Sequence, residues 1–437
     1  MAVITRAPET IVSAFFNEHV DPKELPALVK ENNILLSWIP KDTSGGDEYL
    51  VEQVQFGDPA AVGPTREAVQ AIQATTGGSP LGAKWIIPWG GEKAGYQISL
   101  TEMKLNRNKL KKFLDTKMLR FKGTVRSFGT RLETYLWRPV GRYIGYGEFT
   151  SSTGVIQLSE RADAKNFKKG QLIQISAASG ASTSDTLVAN SGIGYVIAVN
   201  GNSGTVTVSA TDGGTAGAPA NWVNSTSYYL FNYREFGGTA SPYKIIDSIF
   251  SWIPTSDPAS TAFNNIDRTQ DIVALSGVRL TSTEIANMPL NQRLLRLVDR
   301  CFETGYAKEV GGEHAIFVDG RQWQALANQL RSFGQLDIAE ATPTWGFSAI
   351  KLRSQYGTVP VYAADRCPNT SALFLSKNSM KLVSVGELPE IIRQGAGGDQ
   401  MFMLAGSDDL EMRWDGICAL VVTGPGANGH TTLEAVS

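Results

Sequence analysis

Few side chains in this 437-residue chain are spaced to do bond chemistry. Histidine occurs only at His19, His314 and His430, and none stands in an HExxH or CxH spacing, so a zinc-activated water has no support. Gly201-Asn-Ser-Gly204 is one residue short of the GxSxG nucleophile elbow and reads as a flexible turn. Neither a GxxxxGKS/T loop nor a strand-linked GxGxxG is present, so nucleotide binding has no support, and no cofactor is expected. Carboxylates gather at Asp408, Asp409, Glu411 and Asp415. Such oxygens could hold a hard cation, or serve as the acid pair of a hydrolase. A solvated turn or an ion pair between subunits accounts for them more simply. Cys301, Cys367 and Cys418 are odd in number and form no CxxC, which fits reduced structural thiols and gives neither disulfide framework nor zinc site. Cys418 lies in an apolar run and reads as a small buried hydrophobe.

The clearest pattern is instead a long basic helix, predicted as one unbroken rod over 105–138. Leu114, Phe121, Val125, Phe128, Leu132 and Tyr135 recur at three- and four-residue steps and so share one face. Lys109, Lys111, Lys112, Lys117, Arg120, Lys122, Arg126 and Arg131 fill much of the remainder. At about 1.5 Å per residue the rod would be roughly 50 Å long. Three readings of its charge stand open: a solvated face, a face toward a polyanion such as DNA phosphate, or one toward acidic partner subunits. The helical spacing of Phe113, Phe121, Phe128, Tyr135 and Trp137 makes them core rather than base-stacking platforms.

Around that rod the chain divides by composition. Hydrophobic residues make up 42% and charged residues only 19%, so much of the surface is expected to be covered by partners. The net charge of -2 excludes a uniformly basic nucleic-acid binder. No apolar run approaches the ~20 residues that span a bilayer, and the start lacks a signal peptide's pattern, so a soluble chain from a reducing cytoplasm is expected. Residues 1–35 form a proline-broken arm with helical patches at Ile11–Phe16 and Lys23–Lys30. Residues 36–100 form a β excursion, with strands near Asp47–Phe56, Ala83–Trp89 and Tyr96–Leu100. An isolated hairpin is marginal in water, so the excursion should rest on another subunit. Residues 145–235 are rich in Gly, Ser, Thr and Asn and nearly uncharged after Lys169, and read as an inserted β-barrel or sandwich. It contains a hairpin at Val199–Val206 and closes with Tyr228–Phe231. Deleting 155–230 should leave the remainder foldable. Residues 236–375 alternate strand and helix, with a helix over Leu290–Lys308, a strand at His314–Val318 and a helix at Trp323–Phe333. The last part is mostly strand, with Asp415-Gly416 predicted to join Leu410–Trp414 to Ile417–Val422 as a hairpin.

In this order of elements the chain resembles the major capsid proteins of tailed bacteriophages, with their Hong Kong 97-like fold. The resemblance is densest at Phe317-Val-Asp-Gly-Arg-Gln-Trp323, Gly357-Thr-Val-Pro-Val361, Ala372-Leu-Phe-Leu-Ser376 and Arg413-Trp-Asp-Gly416. Asn166-Phe-Lys-Lys-Gly170 and the Val199–Val208 hairpin resemble the β insertion of some members. The implied fold is α+β, with an N-arm (1–35), an E-loop (36–100), a spine helix of the P-domain (101–144) and an insertion domain (145–235). An A-domain (236–375) and C-terminal strands (376–437) complete it. The implied function is a non-enzymatic one. The chain would self-assemble as hexamers and pentamers into an icosahedral head around double-stranded DNA, held non-specifically, inside the bacterial host cytoplasm.

Scaffolding, portal and possibly decoration proteins are the implied partners, with no membrane. Lys109, Lys112, Lys117, Arg120, Lys122 and Arg126 would face the lumen or a neighbour. Tyr49, Val51, Phe56, Trp85 and Trp89 would make E-loop contacts between subunits. Lys84 or Lys93 with Asn369 or Asn378 are the residues through which a covalent cross-link of the kind some members make could run. A tail-tube or fibre/adhesin component is the alternative, and a carboxylate-based hydrolase a third.

Overall fold

The computed structural model describes residues 25–30, 33–46, 48–55, 65–76, 82–105, 110–138, 143–179, 192–233, 235, 246–260, 262–281, 283–332, 338–339, 349–392, 401–403 and 409–436. Its centre is the long helix, Leu110–Trp137. The helix is preceded by a separate short helix, Leu100–Leu105, so the rod predicted from 105 begins later and spans about 42 Å. Every residue of the predicted apolar stripe from Leu114 to Tyr135 is buried. The stripe lies on a six-stranded sheet organised around one 14-residue strand, Asp409–Val422. Phe121 meets Trp414 of that strand edge-on, with ring centroids 5.3 Å apart.

That central strand replaces the predicted Asp-Gly hairpin. It runs straight through Asp415-Gly416, pairing with Gly90–Ser99 from Asp409↔Ser99 to Cys418↔Gly90. Its other edge takes Met380–Ser384, Glu390–Ile391 and Met401–Met403. The glycine serves packing rather than a turn. A Cβ on Gly416 would sit 2.4 Å from Phe128 Cζ, so only glycine lets the long helix settle on the sheet. Gly129 does the same on the helix's other side, where a Cβ would lie 2.5 Å from the carbonyl oxygen of Val29 in the arm helix Leu25–Lys30. Glycine inside a helix costs about 1 kcal/mol relative to alanine, and the contact offsets it.

The β excursion is shorter than expected. Leu50–Gln55 pairs with Gly82–Ile87 as a two-stranded ribbon, and Arg66–Thr76 is a helix between them. Tyr96–Leu100 is not its return strand; Tyr96–Ser99 belongs to the edge strand of the central sheet, and Leu100 begins the next helix. The ribbon's inward face also rests on its own chain: Trp85 packs edge-on against Trp252 (5.1 Å) and Phe263 (6.0 Å).

A seven-stranded sheet forms the second layer, in the order 278–279, 429–432, 371–376, 314–318, 357–363, 349–354, 338–339. One face of its strands, including Ile316, Val318 and Phe374, packs on helices Leu290–Glu303 and Gly320–Ser332. Ala315, Phe317, Leu373 and Leu375 point the other way into the core of the long helix. The single helix predicted over Leu290–Lys308 is two, because Gly305 takes φ +88° before Tyr306–Val310.

Within the range predicted as an insertion, six strands close into a barrel, ordered 226–232, 145–150, 155–158, 205–209, 194–200, 172–176. The Val199–Val206 hairpin and the closing strand at Tyr228–Phe231 are both present. The first strand, Gly145–Thr150, pairs with the last, Thr226–Leu230, so both ends of the insertion lie side by side. Both are staves of the barrel, so deleting 155–230 would cut the closing strand short and leave the first without its pair. A clean excision must take 143–233.

Candidate assembly surfaces

Two surfaces carry the residues that sequence reasoning singled out. The first is the side of the long helix turned away from the sheet. Lys112, Arg120 and Arg126 are exposed there and Lys122 is half-buried. Lys117 is a correction: its side chain is only 7% exposed and forms an ion pair with Glu102 of the preceding short helix, so it anchors that helix and cannot meet an external polyanion. Lys109 lies outside the described residues. Arg131 is turned inward in function although half-exposed, since it pairs with Glu92 at 2.9 Å and with Glu235. The aromatic residues of the helix, Phe121, Phe128, Tyr135 and Trp137, are core as expected.

The second surface is the outer face of the ribbon. Alternation along the two strands turns Val51, Gln53, Lys84 and Ile86 outward. Val51 and Ile86 are cross-strand partners, 53% and 39% exposed, and Tyr49 beside them is 50% exposed. This is an apolar pair on a two-stranded element with water on that side. Trp85 is a correction, because it is fully buried against its own chain. Trp89 is half-buried against the main core, and Phe56 lies outside the described residues. The cross-link reading also changes. Lys93 is exposed but paired with Asp415 at 3.3 Å. Asn369 is buried, donating from Nδ2 to the Val436 carbonyl at 2.9 Å and accepting from Gln322, so it is not available to a neighbour's lysine. Lys84 and Asn378 are exposed.

The acidic cluster does not converge. Asp409, Glu411 and Asp415 are strung along the central strand; Glu411 pairs with Arg413 at 2.6 Å and Asp415 with Lys93, while Asp408 lies outside the described residues. No group of three metal-ligating side chains occurs among the described residues. His430 is buried beside Ser371 Oγ (3.2 Å), and burial lowers its pKa to about 4. Cys301, Cys367 and Cys418 are buried free thiols, with pKa values raised by burial. A cavity of about 390 Å³ opens where the long helix, the barrel and the seven-stranded sheet meet, lined by Arg138, Asp163, Lys165, Arg321 and Arg366 among others.

One buried tie has no counterpart among the residues singled out above. Glu133, buried on the long helix, accepts from the backbone N–H groups of Leu35 (3.1 Å) and Leu36 (2.9 Å) and from Trp137 Nε1 (2.9 Å). It ties the arm to the helix. A lone glutamate inside the run Leu132 to Trp137 was the available signal, since a charge on a buried face needs a partner.

The chain is similar in structure to capsid chains. Over 91% of its length it matches 95% of a chain from the capsid of an empty GTA particle, at 8% identity and a TM-score of 0.43. It matches a chain of the satellite phage P4 procapsid over 100% of its length and 99% of that chain, at 10% identity and TM-score 0.39. For a chain of Mycobacterium phage Patience the values are 97%, 89%, 9% and 0.40. No family model and no curated protein sequence matches it. Among the described residues, no helix is long and apolar enough to cross a membrane.

Proposed function

We propose that the chain is the major capsid protein of a tailed double-stranded DNA bacteriophage, assembling as hexamers and pentamers into an icosahedral head. The observation that carries this reading is the ribbon. Val51 and Ile86 form an exposed apolar cross-strand pair on an element with two strands among the described residues, which is an incomplete surface until another subunit covers it. The order of elements supports it: arm, ribbon, long helix on a sheet, inserted barrel, second sheet and a returning terminal strand. In those terms the ribbon over 48–87 is the E-loop. The long helix with the six-stranded sheet is the P-domain, the seven-stranded sheet with its helices the A-domain, and the barrel over 143–233 the insertion domain. Lys112, Arg120 and Lys122 are the cations offered to packaged DNA or to a neighbour, and many copies would convert this local patch into a charged wall. The role is structural, with no catalytic step.

Electron microscopy of the purified protein tests this. Closed shells or ring-shaped capsomers are expected, and Val51→Glu with Ile86→Glu should abolish them while leaving the subunit's thermal unfolding unchanged. Wild-type protein that stays monomeric under all conditions overturns the reading. Open tubes would point instead to a tail-tube component.

A further inference from the structure

The C-terminal end of the long helix carries a cluster of ionisable groups drawn from three parts of the chain. Arg131, Tyr135 and Arg138 come from the helix and the residue just beyond it, Glu92 from the edge strand Gly90–Ser99, and Glu235 from the segment leaving the barrel. Tyr135 Oη stands 2.7 Å from Glu92 Oε2 and 2.5 Å from Glu235 Oε1. A phenol hydroxyl has one hydrogen to donate. If both carboxyls were ionised, one contact would press a bare carboxylate oxygen against the phenol oxygen with no proton between them. A second proton removes the conflict: one carboxyl donates to Tyr135 Oη, which donates to the other. We propose that Glu92, Tyr135 and Glu235 share one extra proton, and that this proton latches the barrel to the long helix, so that the barrel's seating follows pH.

The surroundings set the balance. Arg131 Nε lies 2.9 Å from Glu92 Oε1, its Nη2 pairs with Glu235 and reaches Tyr135 Oη at 3.4 Å, and Arg138 Nη2 lies 3.5 Å from Glu235 Oε2. Arg131 and Arg138 favour the ionised form of Glu92. From the barrel, Asn232 Nδ2 donates to Glu235 Oε2 at 2.5 Å, and Lys168 reaches the helix at Ser127 Oγ, 3.0 Å away. Lys93 and Asp415 pair on the opposite face of the edge strand. Against the cations stands burial: the Glu92 and Glu235 side chains are only 10% and 12% exposed. Burial is the largest influence on Glu92 and holds its carboxyl above the usual range.

The barrel's core, built on Phe149, Ile156, Ile173 and Leu230, is a cluster separate from that of the long helix. The contacts described between the barrel and its surroundings include Lys168 with Ser127, Arg366 bridging Thr134 and Asn166 at 2.6 and 2.9 Å, and Arg321 with Glu160 at 3.7 Å, and the latch adds to these. Opening the cluster returns Glu92 to water and to ordinary acidity. The closed latch is therefore at full strength below the pH where a free glutamate ionises, about 4.3. It weakens as pH rises through the raised pKa of the closed cluster. Between those limits, loss of one proton on opening raises the opening equilibrium about tenfold per pH unit.

Two readouts on the full-length, unassembled chain test this independently of the shell reading. Infrared difference spectra between the wild type and Glu92→Gln should show a Glu92-dependent protonated carboxylic-acid band well above about pH 4.3, separate from the raised carboxyls of Asp163 and Glu133 that both proteins share. Spin labels at the exposed positions Arg120 of the helix and Asn202 of the barrel should give a distance distribution that broadens with pH in the wild type and stays narrow in Glu92→Gln, whose amide can donate to Tyr135. Tyr135→Phe should be broad at every pH and lose the Glu92-dependent band. Absence of that band, or an unchanged pH response of the distances in Glu92→Gln, overturns the proposal.

Discussion

The long helix and the barrel meet the rest of the chain in opposite ways. The helix is seated by an apolar seam, with Phe121, Val125, Phe128 and Leu132 all buried against the sheet. The barrel closes its own core and then docks through Lys168, Asn166 and Glu235. Burial of apolar area contributes roughly 25 cal/mol per Å² whatever the pH or salt, whereas hydrogen bonds and buried ion pairs depend on the protonation state of the groups that make them. The helix is thus seated by a seam indifferent to pH and the barrel by contacts that are not.

The comparison breaks first at the two cores. Phe128→Ala should cost about 3–5 kcal/mol and lower the unfolding of the main body, because it empties the space over Gly416. Phe149→Ala should cost about as much but only within the barrel, leaving the main-body transition in place. Calorimetry that shows both variants lowering a single shared transition would mean the two cores fold as one. A smaller effect is expected at Glu133. Glu133→Ala leaves the Leu35 and Leu36 N–H groups without their acceptor, at about 1–3 kcal/mol, and should expose 25–42 to proteolysis before the rest. Uniform digestion would show that the arm is held by its apolar contacts alone. The smallest change is expected at the barrel's rim. Lys168→Ala removes one exposed hydrogen bond to a neutral hydroxyl and should shift stability by about 1 kcal/mol or less, with little dependence on salt, in thermal unfolding. A larger loss would mean that Lys168 seats the barrel through more than this one bond.

Much of this was legible in the residues because it depends on spacing alone. Helical periodicity fixed which side of the long rod is buried, and the turn at 201–204 between β-branched runs fixed a barrel hairpin. The inserted β unit stood out because its charge nearly vanishes. The errors share a cause. Asp415-Gly416 has the chemistry of a turn, but a strand paired on both edges and an aromatic ring over the glycine hold it straight. Lys117 has the chemistry of a surface charge, yet Glu102 of the short helix arriving alongside buries it. Trp85 looked like a contact offered to a neighbour, yet Trp252 and Phe263, far along the chain, cover it.

The sequence by itself therefore determined periodicity, amphipathic faces and local turns, since these follow from backbone geometry repeated every two or 3.6 residues. Which faces meet was decided only in the tertiary structure. Glu92, Tyr135 and Glu235 are separated by 43 and 100 positions along the chain, and no local pattern links them. Their shared hydroxyl exists because an edge strand, the end of a helix and the exit of a barrel converge on one point.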